Sequence, residues 1–227
     1  MADTEQRKKL DKEQIMVNLS EIKEAITQGK PDDAKDLTQR ALRGGREADQ
    51  VLNEALIPVM NEVGEKFGRN EIFFPEMLVA AMAMKDALAV LKPILVSKGI
   101  KGTGKAVLGT VQGDLHDIGK NLVGMLFEGA GLEVIDLGID TPKEEFVKVI
   151  RENGPQLLGL SALLTTTMPR MREVISALEQ EGLREQVKVI IGGAPVTQEY
   201  ADEIGADGYA PDAPSAAKKA RDLLGVG

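Results

Sequence analysis

Residues 105–121 read KAVLGTVQGDLHDIGKN, and this stretch decides the fold. Lys105–Val111 is a short apolar run, a glycine turn follows at Gly113, and a helix is expected from about Asp117 to Gly129. A strand that turns through glycine into a helix is the unit from which parallel sheets are built. The unit recurs downstream. Leu132–Leu137, Leu157–Ala162, Val187–Ile191 and Gly208–Ala210 are further strand candidates, separated by helical stretches at about 142–152, 168–181, 196–204 and 214–224. Five strands favour the flavodoxin-like order, in which ligands bind beyond the carboxyl ends of the strands.

Upstream, from Leu10 to about Ser97, the pattern is helical only. Ile15, Leu19, Ile22 and Ile26 recur at helical spacing and make one apolar stripe. Pro31 with Asp32 and Asp33 reads as a helix first turn, and Gly44-Gly45 closes that helix. A third segment carries Val51, Leu52, Ala55, Leu56, Val59, Met60 and Val63, with a kink or break expected at Pro58. Pro75 opens another helix, whose inner face is expected to be Leu78, Ala81, Met82, Ala87, Leu88 and Leu91. Short helices with brief connections predict a small bundle. The expected class is therefore α + α/β: an N-terminal helical bundle over 1–98, then a flavodoxin/Rossmann-like doubly wound five-stranded parallel sheet over 103–227. The linker falls near 98–104.

Composition narrows the chemistry. At 227 residues the chain has room for one large domain or two small ones. No apolar run reaches the roughly 20 residues a membrane helix needs, and MADTEQRKKLDKEQ has no apolar stretch behind it, so no secretory signal is expected. The absence of cysteine excludes disulfides, thiolate metal sites and cysteine nucleophiles, and is compatible with a cytoplasmic location. A net charge of -8 argues against non-specific nucleic-acid binding, and 3% aromatic content removes the stacking platforms of single-strand binders. There is one histidine. Any chemistry that needs imidazole runs through His116.

His116 sits in a glycine-started loop, two residues after Asp114. A metal-ligating imidazole needs this arrangement: one nitrogen binds the metal while the other donates to a carboxylate that fixes the tautomer. A lone loop histidine is otherwise an ordinary surface or capping residue. Two later segments change the balance. The third strand runs out into Ser161-Ala-Leu163-Leu-Thr165-Thr-Thr167, and the fourth ends at Gly192-Gly193. Taken singly, hydroxyl residues cap helices and glycines turn the chain. That does not explain why all three segments lie at one edge of one sheet, where they leave a slot lined by backbone and short side chains. Elsewhere, Met82 and Met84 read as core filler. Met77, three residues after Phe74, reads either as core or as sharing that ring's face. Lys120-Asn121 reads as the start of the helix after the loop.

The residues Asp114-x-His116-x-x-Gly119, then Ser161-x-Leu163 about 41 residues on, then Gly192-Gly193 about 28 residues further, resemble the signature of the cobalamin-binding domain of methionine synthase and base-off mutases. The helical half resembles that family's cap: Val63-Gly-Glu-Lys-Phe67 and Phe74-Pro75-Glu-Met77 look like the stretch that lays an aromatic and a second large apolar residue over the corrin. A chain of these two modules resembles the corrinoid proteins of anaerobic methyltransferase systems, which act on methanol, methylamines, methylated quaternary amines or aryl methyl ethers.

The resemblance implies the following roles. His116 replaces dimethylbenzimidazole as lower axial ligand to cobalt, Asp114 accepts its other N–H, and Thr167 stands where the family more often has serine, keeping the hydroxyl. Ser161, Leu163, Thr165, Gly192 and Gly193 line the slot for the displaced nucleotide tail, Gly113, Leu115 and Asp117 flank the ligand loop, and Ala213 makes a last tail contact. Phe67, Phe74 and Met77 cover the cofactor. The cofactor is cobalamin or a related corrinoid, cycling through methylcobalamin, cob(I)alamin and cob(II)alamin. Partners are a substrate-specific methyltransferase, an acceptor methyltransferase passing the methyl group to a thiol or tetrahydrofolate, and a reductive activase. No nucleic acid or membrane is implied. The chain has no zinc-ligand cluster and no nucleophile beside a base, so it reads as a non-catalytic shuttling subunit. There are two rivals: the cobalamin-binding subunit of an adenosylcobalamin mutase, which shares DxHxxG, and a cobalamin sensor controlling transcription or light response. The helical module disfavours the first, and the lack of a basic DNA-reading helix disfavours the second.

Overall fold

The computed structural model describes residues 17–97 and 103–225. The chain divides into two compact units, Met1–Lys101 and Gly102–Gly227. Ile15 of the expected stripe, and 98–102 of the expected linker, lie outside the described residues.

The helical unit starts with α1 (Leu19–Thr27), opened by a reciprocal cap: Ser20 N–H donates to Asn18 Oδ1 and Asn18 N–H to Glu21 Oε2, each at 3.1 Å. Leu19, Ile22, Ala25 and Ile26 form its buried stripe. Helix α2 (Pro31–Arg43) has proline in its first turn, where the missing N–H costs nothing, with Asp32 and Asp33 at its positive end and Gly44 at its C-cap. The disturbance expected at Pro58 takes a specific form. Helix α3 (Ala48–Val51) widens into a π-helical turn at Leu52–Leu56 before α4 (Ile57–Gly68) resumes with proline in its first turn. Pro58 can neither donate a helical hydrogen bond nor pack its ring under a normally spaced carbonyl, and the widened turn before it absorbs both defects.

Helix α5 (Phe74–Ser97) runs for 24 residues, longer than expected. Its buried face also differs. Met77, Ala80, Ala81, Met84, Ala87 and Leu91 are buried, whereas Met82 is 48% exposed and is not core. Position 82 lies off the stripe set by 77, 80, 84, 87 and 91, in which two of the five places are small alanines. Leu78 and Leu88 are only half-buried. Among the described residues no helix is long and apolar enough to cross a membrane.

The second unit is an α/β sandwich. Strands β1 (Gly104–Thr110), β2 (Leu132–Asp136), β3 (Leu157–Ser161), β4 (Lys188–Gly192) and β5 (Gly208–Ala210) form one sheet in the order β2-β1-β3-β4-β5, every pair parallel. This is the flavodoxin-like order. Between the strands run α6 (Ile118–Gly129), α7 (Lys143–Asn153), α8 (Pro169–Gln180) and α9 (Gln198–Ile204), and α10 (Ala213–Leu224) follows β5. Helices α6 and α10 pack together on one face, while α7, α8 and α9 cover the other. Alternation along the strands divides the core accordingly. Val107, Leu158, Leu160, Val189 and Ile191 meet Phe146 of α7 and Ile175 of α8. Ala106, Leu108, Gly159 and Ile190 are left to face α6 and α10.

One partly buried acid ties the start of β4 to β5. The Asp207 carboxylate accepts Val189 N–H at 2.8 Å, Arg184 Nη2 at 2.7 Å and Lys188 Nζ at 3.1 Å. Burial pushes its acidity down, but the amide and the two cations outweigh that and hold it below the usual aspartate range. Asp207→Ala strands an amide and a guanidinium, and is expected to cost about 2 kcal/mol of stability, read as a lowered urea midpoint with unchanged slope.

Candidate functional site

After β1 the chain turns at Gly113, whose φ of 84° favours glycine. The loop is held from both sides. Gly113 N–H donates to Asp140 Oδ1 at 2.7 Å and Asp140 N–H to the Asp114 carbonyl at 3.0 Å, while Thr110 Oγ1 donates to the His116 carbonyl at 2.9 Å. Asp140 itself has a φ of 50°, a conformation that aspartate tolerates better than most residues.

Asp114 is fully buried at 0% exposure. Its Oδ1 lies 2.8 Å from His116 Nδ1 and accepts His116 N–H at 3.1 Å. Its Oδ2 accepts Leu163 N–H at 2.7 Å, Leu164 N–H at 3.3 Å and Thr167 Oγ1 at 2.6 Å. The Thr167 oxygen is also 2.9 Å from the Leu164 carbonyl, and its one proton favours the shorter, charge-assisted contact. Burial alone would raise the carboxyl pKa, but donors from Thr167, Leu163 and His116 outweigh it and hold Asp114 well below the usual carboxylate range. Asp114 is therefore an anion at neutral pH. An ionised acceptor on Nδ1 requires the proton there, which leaves the Nε2 lone pair for a metal. The His116 side chain is 50% exposed. Among the described residues no three His, Asp or Glu side chains converge to hold a metal ion. A metal at His116 must bring most of its ligands with it.

Beside His116 opens a cavity of about 460 Å³, at the carboxyl ends of β1, β3, β4 and β5 and between α6 and α10. Of the expected site residues, Leu115, His116, Asp117, Gly119, Ser161, Leu163, Gly192, Gly193 and Ala213 line it. Asp114 and Thr167 stand behind the imidazole. Gly113 shapes the turn that flanks the ligand loop, and Thr165, expected in the slot, is exposed on the hydroxyl run and is not among the residues around the cavity. In the helical unit Phe67 is half-buried and Phe74 is 39% exposed. Met77 is buried at 0% exposure.

The deeper wall was not anticipated. It consists of Leu108, Val123, Phe127, Gly159, Ile190 and Ala216. Val123 and Phe127 lie one helical turn apart on α6, and Gly159 and Ile190 face them from adjacent strands; the periodicities carry this signal, but it does not distinguish a cavity wall from a core. Lys120 also departs from a plain helix-start role. Its side chain is 2% exposed in the cavity wall, with Nζ 2.5 and 2.6 Å from the Asp136 carboxylate oxygens and 2.8 Å from Asn121 Oδ1.

Comparison with known proteins bears on this geometry. Family models described as B12 binding domains match residues 104–218 and, separately, residues 19–92. A corrinoid protein of Desulfitobacterium hafniense is 43% identical over 214 residues, covering 93% of this chain and 99% of that protein. The dimethylamine corrinoid protein of Methanosarcina barkeri is 43% identical over 208 residues, covering 91% and 97%. Among solved structures, a cobalamin-binding protein from Desulfitobacterium hafniense superposes with a TM-score of 0.76 at 33% identity, over 91% of this chain and 98% of that one. The methanol:cobalamin methyltransferase complex MtaBC from Methanosarcina barkeri gives a TM-score of 0.81 at 31% identity, over 91% of this chain and 79% of the matched chain.

Proposed function

This chain belongs to the corrinoid protein family, and on that premise we propose that it is the methyl-carrying subunit of a corrinoid-dependent methyltransferase system. One observation carries the reading: a single imidazole, locked through Nδ1 on a buried carboxylate, stands at the mouth of a deep, largely apolar cavity. The residues fit a corrinoid. One imidazole nitrogen is the donor set that an already chelated cobalt needs, and the cavity falls in the size range of small-molecule sites. The glycine pair at the end of β4 lets two neighbouring strand ends close on the cavity without a side chain between them.

When bound, a corrinoid supplies a cobalt that takes up and gives up a methyl group; the protein supplies binding, orientation and electronics. His116 would hold the cobalt through Nε2. Asp114 holds the ring's tautomer and orientation, and its anionic charge strengthens the imidazole as a donor. Leu163 N–H and Thr167 Oγ1 keep that carboxylate ionised and fixed by occupying its second oxygen.

The proposed partners are a donor-specific methyltransferase, an acceptor methyltransferase and a reductive activase. The proposed donor is a methylamine, methanol, a quaternary amine or an aryl methyl ether, and the proposed acceptor a thiol or a tetrahydrofolate. The test uses an isotopically labelled methyl donor. Label is expected to become associated with the full chain only when corrinoid and a donor-specific methyltransferase are both present. Labelling without corrinoid, or the chain's failure to be labelled with any of these donor systems, would contradict the carrier role.

A further inference from the structure

The wall of the cavity has a hydrogen-bonding inventory, and it is very short. The central strands beneath it are paired on both edges: β3 lies between β1 and β4, and β4 between β3 and β5, so the ladder consumes their backbone groups. The backbone of α6 around Val123 and Phe127 is consumed within the helix. The side chains of the deeper wall are Leu108, Val123, Phe127, Ile190 and Ala216, with Gly159 adding none.

The polar residues that line the cavity are mostly engaged elsewhere. Lys120 Nζ is held by both Asp136 oxygens and by Asn121 Oδ1. Asp212 caps α10, its Oδ1 accepting Ser215 N–H at 2.8 Å. His116 is committed to Asp114, and Asp117 Oδ2 accepts Asn121 Nδ2 at 3.0 Å. Ser161, at the end of β3 and on the strand face that meets α6 and α10, brings the remaining side-chain hydroxyl.

We propose that this cavity selects the base of the corrinoid's nucleotide tail, admitting a benzimidazole and disfavouring a purine; the inference rests on the corrinoid-carrier reading. A benzimidazole joined to its ribose and detached from cobalt keeps one ring nitrogen, which one hydroxyl satisfies, and offers the apolar wall carbon alone. An adenine in the same position sets further ring nitrogens and an exocyclic amine against the side chains of Leu108, Val123, Phe127 and Ile190, which cannot bond them. Groups buried in this way lose their water without replacement. An apolar pocket rejects added polar groups only moderately, so a preference of about 10–100-fold is expected.

Equilibrium binding to the full chain tests this, with three probes: cobalamin, the same corrinoid with an adenine base, and cobinamide, which has no nucleotide tail. Cobalamin is expected to bind about 10–100-fold more tightly than the adenine form. Ser161→Ala is expected to weaken cobalamin about threefold to tenfold and to leave cobinamide unchanged. Equal or tighter binding of the adenine form by the unaltered chain would overturn the selectivity while leaving the carrier reading intact. Failure of all three probes to bind would overturn both.

Discussion

Gly193→Ala is expected to be among the most damaging single substitutions in the α/β unit, costing roughly 3 kcal/mol or more and abolishing tight corrinoid binding. Gly193 has a φ of 127°, and a Cβ placed there would lie 1.9 Å from the Ala162 carbonyl oxygen. That obstacle is backbone at the end of β3, so no side chain can swing aside. Relief requires Ala162 to move, and the next residue, Leu163, donates its N–H to Asp114. The clash is therefore transmitted to the carboxylate that holds His116. Gly205→Ala is the control. Its φ of 74° lies in the left-handed region, which alanine enters at modest cost, and a Cβ there meets nothing within 4 Å, so about 1 kcal/mol is expected. Urea midpoints and corrinoid titrations of both variants check this; equal losses at the two sites would mean the contact with Ala162 does not constrain the fold.

Asp114→Ala is expected to cost about 3–5 kcal/mol, because it strands Leu163 N–H, Thr167 Oγ1 and His116 Nδ1 around a buried void. Asp114→Asn keeps the shape but has one acceptor oxygen where two are used, and turns an amide N–H₂ toward donors. It is expected to keep the fold, lose stability, and weaken corrinoid affinity about 10–100-fold by releasing the tautomer of His116. The pH dependence follows from the direction of the shift. Because folding lowers the pKa of Asp114, its stabilisation is complete above the ordinary aspartate range near about 3.9 and is lost as pH falls below that range. The stability gap between native protein and Asp114→Asn should stay level above about pH 5 and close only in acid. A gap that closes between about pH 6 and 8 would assign the coupling to another titrating group.

The strands of the sheet were legible because strands buried on both faces read as apolar runs, and their order follows from alternation with helices. Their ends were less so: Val111 looks like strand, yet β1 stops at Thr110, and Val111 keeps one bond to the Ser161 carbonyl and an isolated bridge to Thr141. Met82 was misplaced because periodicity weights large apolar residues, whereas the buried face of α5 is built largely from alanines, whose hydrophobic signal is weak. In the site, Asp114 and His116 stand two apart and could be paired by eye. The amide of Leu163 could not, since it lies 49 residues away and backbone groups carry no residue signature. Leu108, Phe127 and Ile190 are the residue types of any core. They become a cavity wall only where the assembled sheet and helices leave space between them, which no single residue announces. Lys120 was similarly opaque: a lysine after a glycine suggests solvent, and its burial depends on Asp136 arriving at the end of the neighbouring strand.

The central claim is that His116 is the protein's ligand to a corrinoid cobalt, and the chain's one histidine makes it unusually testable. Protein grown with isotopically labelled histidine and loaded with cobalamin in the Co(II) state should show electron paramagnetic resonance splitting from an axial nitrogen that changes with the label. The same splitting should vanish in His116→Ala. A splitting indifferent to the label would place the corrinoid's own base, and not His116, on the metal.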